Sequence, residues 1–116
     1  MERIMKYIFE KLMIKLFVEF GKEYPRVLKS FWNNAAYYAR KYPPLVEYEE
    51  DEQELVEEGQ LYFFGQYLQV LLQVLASKSG KPEKESVAKM FNRMIEVCDW
   101  TTVAEVVATK MGLVER

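Results

Sequence analysis

Arg26, Lys29, Asn33, Tyr37 and Arg40 follow one another at intervals of three, four, four and three residues. They lie within PRVLKSFWNNAAYYARKYPP (residues 25–44), a stretch that holds four cations and no carboxylate. On a helix this spacing stacks the five side chains along one face, with Ser30, Asn34 and Lys41 beside them. Guanidinium and ammonium groups pair with phosphate, carboxamides reach sugar or base edges, and an aromatic ring offers a platform for an unstacked base. The chemistry open to this strip is recognition of a nucleic-acid backbone, with Arg26, Lys29, Asn33, Tyr37, Arg40 and Lys41 as the contacting residues. The competing reading is a basic helix face that meets only water or another protein.

Bond-making chemistry finds few reagents in the same chain. There is no histidine, hence no Ser-His or Cys-His triad of the usual type and no bundle di-metal site built on Glu-x-x-His. The one cysteine, Cys98, can make neither an internal disulfide nor an ordinary zinc site, and on the apolar stripe of a helix it reads as a small hydrophobe. Gly59, Gly65 and Gly80 do not form a phosphate loop, because Gly59 and Gly65 fall inside a helical pattern with no strand before them. They read instead as places where another helix packs closely. The acidic run EYEEDEQELVEE (residues 47–58) suits a helix start better than a shaped oxygen cage for a metal. The expectation is a non-enzymatic protein with no cofactor and no metal.

The net charge of −2 hides a polarised chain. Residues 1–41 carry nine basic and four acidic side chains, residues 42–77 carry no basic and eight acidic ones, and residues 78–116 are nearly balanced. The acidic segment repels phosphate within a Debye length, about 8 Å at physiological salt. With a pI near 5.3, contact with DNA or RNA is expected as part of an assembly rather than as tight freestanding binding.

The elements that must position these groups are helices. A chain of 116 residues, half of them hydrophobic, is one domain able to bury a core without staples. Residues 2–20 form a first helix, stopped by Gly21. Pro25 opens a second and Pro43-Pro44 end it near Tyr42. The third starts near Asp51 and runs to about Ala76. Pro82 opens a fourth. A fifth follows Asp99–Thr102, with Thr102 and Glu105 as a capping box and Gly112 at its end. The fold class predicted is all-α, a compact bundle of about five helices over residues 1–116.

Faces follow from the 3.6-residue period. The predicted core includes Phe9, Leu12, Leu16, Phe31, Trp32, Leu68, Leu72, Phe91 and Ile95. The first helix carries a broad stripe (Met5, Ile8, Phe9, Leu12, Met13, Leu16, Phe20) and a second one (Ile4, Tyr7, Ile14, Val18) that a five-helix monomer can hardly cover. The third is apolar nearly all round except for Gln66, Gln69 and Gln73, a neutral strip that suits a contact. Ile4, Tyr7, Ile14, Val18 and these three glutamines form the expected partner interface, for other subunits or for a second copy. Residues 4–20 are broken by Lys6, Glu10, Lys11, Lys15 and Glu19 into apolar runs of at most three, against the ~20 residues a membrane span needs. With no leader pattern at the N-terminus, a cytoplasmic location is expected.

The run LYFFGQYLQVLLQVLASKSG, with Phe63-Phe64-Gly65 followed by leucines at 68, 72 and 75, then a basic loop and a helix containing Met90-Phe91-Asn92, resembles the helical C-terminal region of large subunits in type I CRISPR interference complexes. In several such systems that region is also made separately as the small subunit. The resemblance covers residues 52–110 and implies a non-catalytic helical bundle present in several copies, touching the guide-bearing backbone and target DNA; it carries over no individual residue. Small subunits of this kind generally present a basic surface, from which the acidic balance here departs. The alternative class is a helical homo-oligomer, such as a viral or plasmid protein, that binds and blocks or regulates another protein. A carboxylate-based enzyme is the remaining class, although no carboxylate pair is marked above the others.

Overall fold

In a computed structural model, which describes residues 2–42, 52–78 and 85–114, five helices and no strand are found among the described residues. They are α1 (Glu2–Glu23), α2 (Pro25–Lys41), α3 (Glu52–Lys78), α4 (Glu85–Val97) and α5 (Trp100–Lys110). The all-α bundle expected from the punctuation is the one that forms. The expected roles of Asp51, Pro43-Pro44 and Pro82, and the acidic residues 47–51, lie outside the described residues.

The most extensive pairing is between α2 and α3. Gly59 lies against Ala39, Phe64 against Trp32, and Tyr67 against Phe31. The order along one helix reverses along the other, so the pair is antiparallel. Aromatic rings supply its seam: Phe31 and Tyr67 stack at 5.0 Å, and Trp32 meets Phe64 edge-on at 5.3 Å. The Gln60 side chain donates to the Trp32 carbonyl at 3.0 Å.

Between α1 and α3 lies α5, whose small inward residues Val103, Ala104, Val107 and Ala108 are fully buried. Phe17 of α1 is also fully buried and meets the Trp100 ring edge-on at 6.2 Å. Full burial of such a side chain contributes roughly 1.5–3 kcal/mol. Phe9, Met13 and Phe17 recur every fourth residue and form the inward ridge of α1.

That ridge corrects the expected roll of α1. Leu12 and Leu16, predicted in the core, are exposed, as is Ile8, while Ile14 and Val18 are half-buried against the core. The reason is tertiary. α1 packs against α2, α4 and α5 at once, and the Phe9–Met13–Phe17 ridge joins the buried Val/Ala face of α5 in one core, which turns the Ile8–Leu12–Leu16 line outward. Leu68 and Leu72 are buried as expected, and Phe31, Trp32 and Ile95 pack against the core; the Phe91 side chain lies outside the described residues.

Two boundaries also differ. α1 continues through Gly21 to Glu23, because Gly21 serves a close approach rather than a left-handed end: a Cβ there would stand 2.7 Å from Leu28 Cδ1 and 2.8 Å from Met111 Cε. α5 is capped by Asp99, not by Thr102, since the Asp99 carboxylate accepts from the backbone N–H groups of Thr101 and Thr102 at 3.1 and 3.2 Å. The far end behaves as predicted. Gly112 takes φ +69°, and the Leu113 N–H returns to the Ala108 carbonyl at 2.9 Å, the long bond of a glycine-terminated helix.

Candidate nucleic-acid interface

α2 begins where Pro25 occupies its first turn, a position whose N–H has no intrahelical partner in any case. Leu28, Ala35 and Ala39 are its buried residues. Small residues at 35, 36 and 39 let α3 come close, and this fixes the roll of α2 with its polar face outward. Arg26, Lys29, Asn33, Tyr37, Arg40 and Lys41 are all exposed, together with Ser30 and Asn34. From Arg26 to Arg40 the strip spans roughly 21 Å at 1.5 Å per residue.

No carboxylate lies on this helix. Lys6–Glu10, Lys22–Glu19 and Arg93–Glu96 pair within α1 or α4. Arg40 and Lys41 fall in the last turn, where cations also complement the helix dipole. Lys41 holds its ammonium 5.6 Å from the centre of the Tyr42 ring and 5.9 Å from that of Tyr37. The strip therefore ends among aromatic rings.

Tyr42, but not Tyr37, also lines an open groove of about 400 Å³ between α2 and α3, together with Tyr38, Phe63, Gln66, Tyr67 and Val70. Tyr38 and Tyr42 lie nearly parallel, 15° apart with centroids 6.4 Å apart, and Tyr38 leans on Phe63 at 5.8 Å. Tyr42 and Val70 are each more than half exposed. Burial, and then the neighbouring Tyr38, raise the pKa of the Tyr67 phenol, so it stays neutral. Tyr37 belongs to the strip, whereas Tyr38 and Tyr42 continue the apolar period of Phe31 and Trp32, which would put them in the core; both are exposed. α3 runs beside both rings without covering them, a tertiary detail that the period of α2 does not carry.

The expected partner interface divides. Ile4 and Tyr7 are 64% and 58% exposed, as predicted. Ile14 and Val18 instead line an open cleft between α1 and α5, of about 690 Å³, together with Ile8 and Leu12 and with Lys11, Lys15, Glu19, Lys22 and Lys110 around it. The outward apolar line of α1 runs through Ile4, Ile8, Leu12 and Leu16. On α3, Gln66 and Gln73 are exposed and Gln69 half-buried, beside exposed Tyr62, Val70 and Val74. No charged residue occurs between Gly59 and Ser77, so this face is neutral over about five turns.

Cys98 is buried, and desolvation, then the nearby Glu10 carboxylate, push its pKa up to about 11. That is the environment of a structural thiol. Among the described residues, no helix is long and apolar enough to cross a membrane. No protein-family model, curated protein or solved structure matches the chain.

Proposed function

We propose that the chain is a non-catalytic helical subunit of a cytoplasmic nucleoprotein assembly, in which the outward face of α2 lies along the phosphate backbone of DNA or RNA. The observation that carries this reading is the carboxylate-free exposed strip Arg26–Lys29–Asn33–Tyr37–Arg40–Lys41, in a chain whose net charge is −2. A merely solvated helix commonly mixes both signs, and α1 does so. The resemblance of residues 52–110 to the small-subunit region of type I CRISPR interference complexes makes such a complex, with its guide RNA and target DNA, the assembly proposed.

Two uncovered apolar faces support a subunit role. The line Ile4–Ile8–Leu12–Leu16 and the neutral face of α3 both leave large hydrophobic side chains in water, and large exposed apolar patches mark partner surfaces. The same faces favour a second reading, a self-associating protein that blocks or regulates another protein, in which the α2 strip has no role. Replacing Lys29 and Arg40 by Gln separates the two. The first reading expects several-fold weaker binding of a labelled oligonucleotide at low salt, with unchanged helicity; the second expects no change.

A further inference from the structure

The groove between α2 and α3 has a property that phosphate recognition does not need. Its walls are flat aromatic surfaces left in water. Tyr38, Tyr42, Phe63 and Tyr67 supply four rings, Val70 closes one side, and Gln66 stands exposed at the wall with an amide that can donate and accept. Among the described residues none that lines the groove is charged, and the Tyr67 phenol stays neutral.

Beside Tyr42, by contrast, stands a cation. Lys41 stands over the rings of Tyr37 and Tyr42, at the end of the strip that begins at Arg26. A backbone held along that strip reaches Lys41 with a phosphate and has the groove beside it. Positive charge at the edge of a neutral aromatic surface complements one ligand chemistry well: a negative backbone bearing flat, uncharged rings.

We infer that this groove is a base-stacking site, taking an unstacked base of a single-stranded nucleic acid whose phosphate is held at Lys41. The inference rests on the nucleic-acid reading of α2 and adds to it the kind of strand and the residues that meet the base. Stacking on the Tyr42 ring is indifferent to base identity, since every base has a π-face. The Gln66 amide is placed to meet a base edge. A duplex keeps its bases stacked inside and cannot enter.

The test crosses the protein with the ligand. Full-length chain is titrated against fluorescein-labelled dT12, and against a twelve-unit strand of the same backbone with every base removed, following anisotropy at low salt. Base removal is expected to weaken binding to the parent by at least about fivefold, the low end of what one stacked base contributes. Tyr42→Leu keeps an apolar side chain at an exposed position; it is expected to bind dT12 as weakly as the parent binds the abasic strand, and to lose nothing more when the bases go. Equal affinity of the parent for the two strands, or the same loss on base removal in parent and Tyr42→Leu, overturns the inference. If Lys29→Gln/Arg40→Gln weakens binding to both strands while base removal has no effect, the phosphate strip stands and the stacking site falls. If neither strand binds at all, both fall. A Tyr42→Leu chain that binds both strands like the parent but changes its sedimentation coefficient marks the groove as a seat for protein, and also overturns the inference.

Discussion

Gly65 of α3 lies directly against the backbone of Trp100, the first residue of α5. A Cβ on Gly65 would stand 2.8 Å from the Trp100 carbonyl oxygen and 3.1 Å from its carbonyl carbon. Trp100 is itself held in place, since its indole N–H donates to the Ile95 carbonyl at 3.0 Å. This contact sets how closely the central helix approaches the α2–α3 pair, and so where the outward face of α2 is carried.

Gly65→Ala therefore opposes two effects. Alanine gains about 1 kcal/mol of helix propensity, but the methyl group meets backbone atoms, and overpacking of this kind costs about 1–3 kcal/mol. A lowered denaturation midpoint is expected. Gly59→Ala is the milder comparison, because its Cβ would meet the Ala39 methyl at 3.1 Å and the Ala39 Cα at 3.5 Å rather than a backbone atom under 3 Å, and its midpoint should fall less than that of Gly65→Ala. If both variants rise together, the close approach of α5 to α3 is wrong.

The roll of α1 predicts a sharp contrast between neighbours in sequence. Phe17→Ala removes a fully buried ring and is expected to cost about 3–5 kcal/mol in urea unfolding. Leu12 is 50% exposed, and Leu12→Ala is expected to stay within about 0.5 kcal/mol when the chain is dilute. Equal losses at the two positions would mean that α1 is rolled as its sequence pattern alone suggests.

That contrast also locates what was legible in the sequence. α2 has one apolar side, so its period determined its basic strip, every residue of which the structure exposes, and its inward Phe31 and Trp32, but not the exposure of Tyr38 and Tyr42 on that same side. α1 has apolar residues on several sides, and only its tertiary neighbours α2, α4 and α5, the last some 90 residues away, select the Phe9–Met13–Phe17 ridge. Gly21 looked like a helix end because glycine favours the left-handed position; here it is the missing side chain that matters, against Leu28 and Met111. The capping box at Thr102 lost to Asp99, which sits nearer the helix start and satisfies two N–H groups at once.

The Asp99 cap carries a pH signature. The Thr102 backbone N–H is the main influence holding its carboxyl below the ordinary value, so the folded state binds this proton less readily than the unfolded chain does. The contribution is fully present above the unfolded pKa of about 3.9 and is lost as pH falls through the folded value. Asp99→Ala should cost about 1 kcal/mol at neutral pH. Asp99→Asn should keep most of the cap and show a smaller loss of stability between neutral and acidic pH than the parent. Parallel acid-unfolding curves for parent and Asp99→Asn would contradict the cap assignment.

The Cys98 thiol, buried and raised to about 11, is expected to be inert toward Ellman's reagent at pH 8 in the folded chain and to react promptly in denaturant. In intermediate urea its rate should follow the fraction unfolded. Fast labelling of the native chain would show that the α1–α4 packing around it is open.

The salt dependence of nucleic-acid binding tests the central claim most directly. Each phosphate contact on a single strand contributes about 0.7 to the slope of log affinity against log salt. The outward face of α2 predicts that Lys29→Gln/Arg40→Gln, compared with the parent on the same single-stranded oligonucleotide, weakens binding at low salt and makes the slope shallower by about 1.4, with an unchanged circular dichroism spectrum. An unchanged affinity and an unchanged slope in that double variant would contradict the claim and leave α2 with a basic face that touches no phosphate.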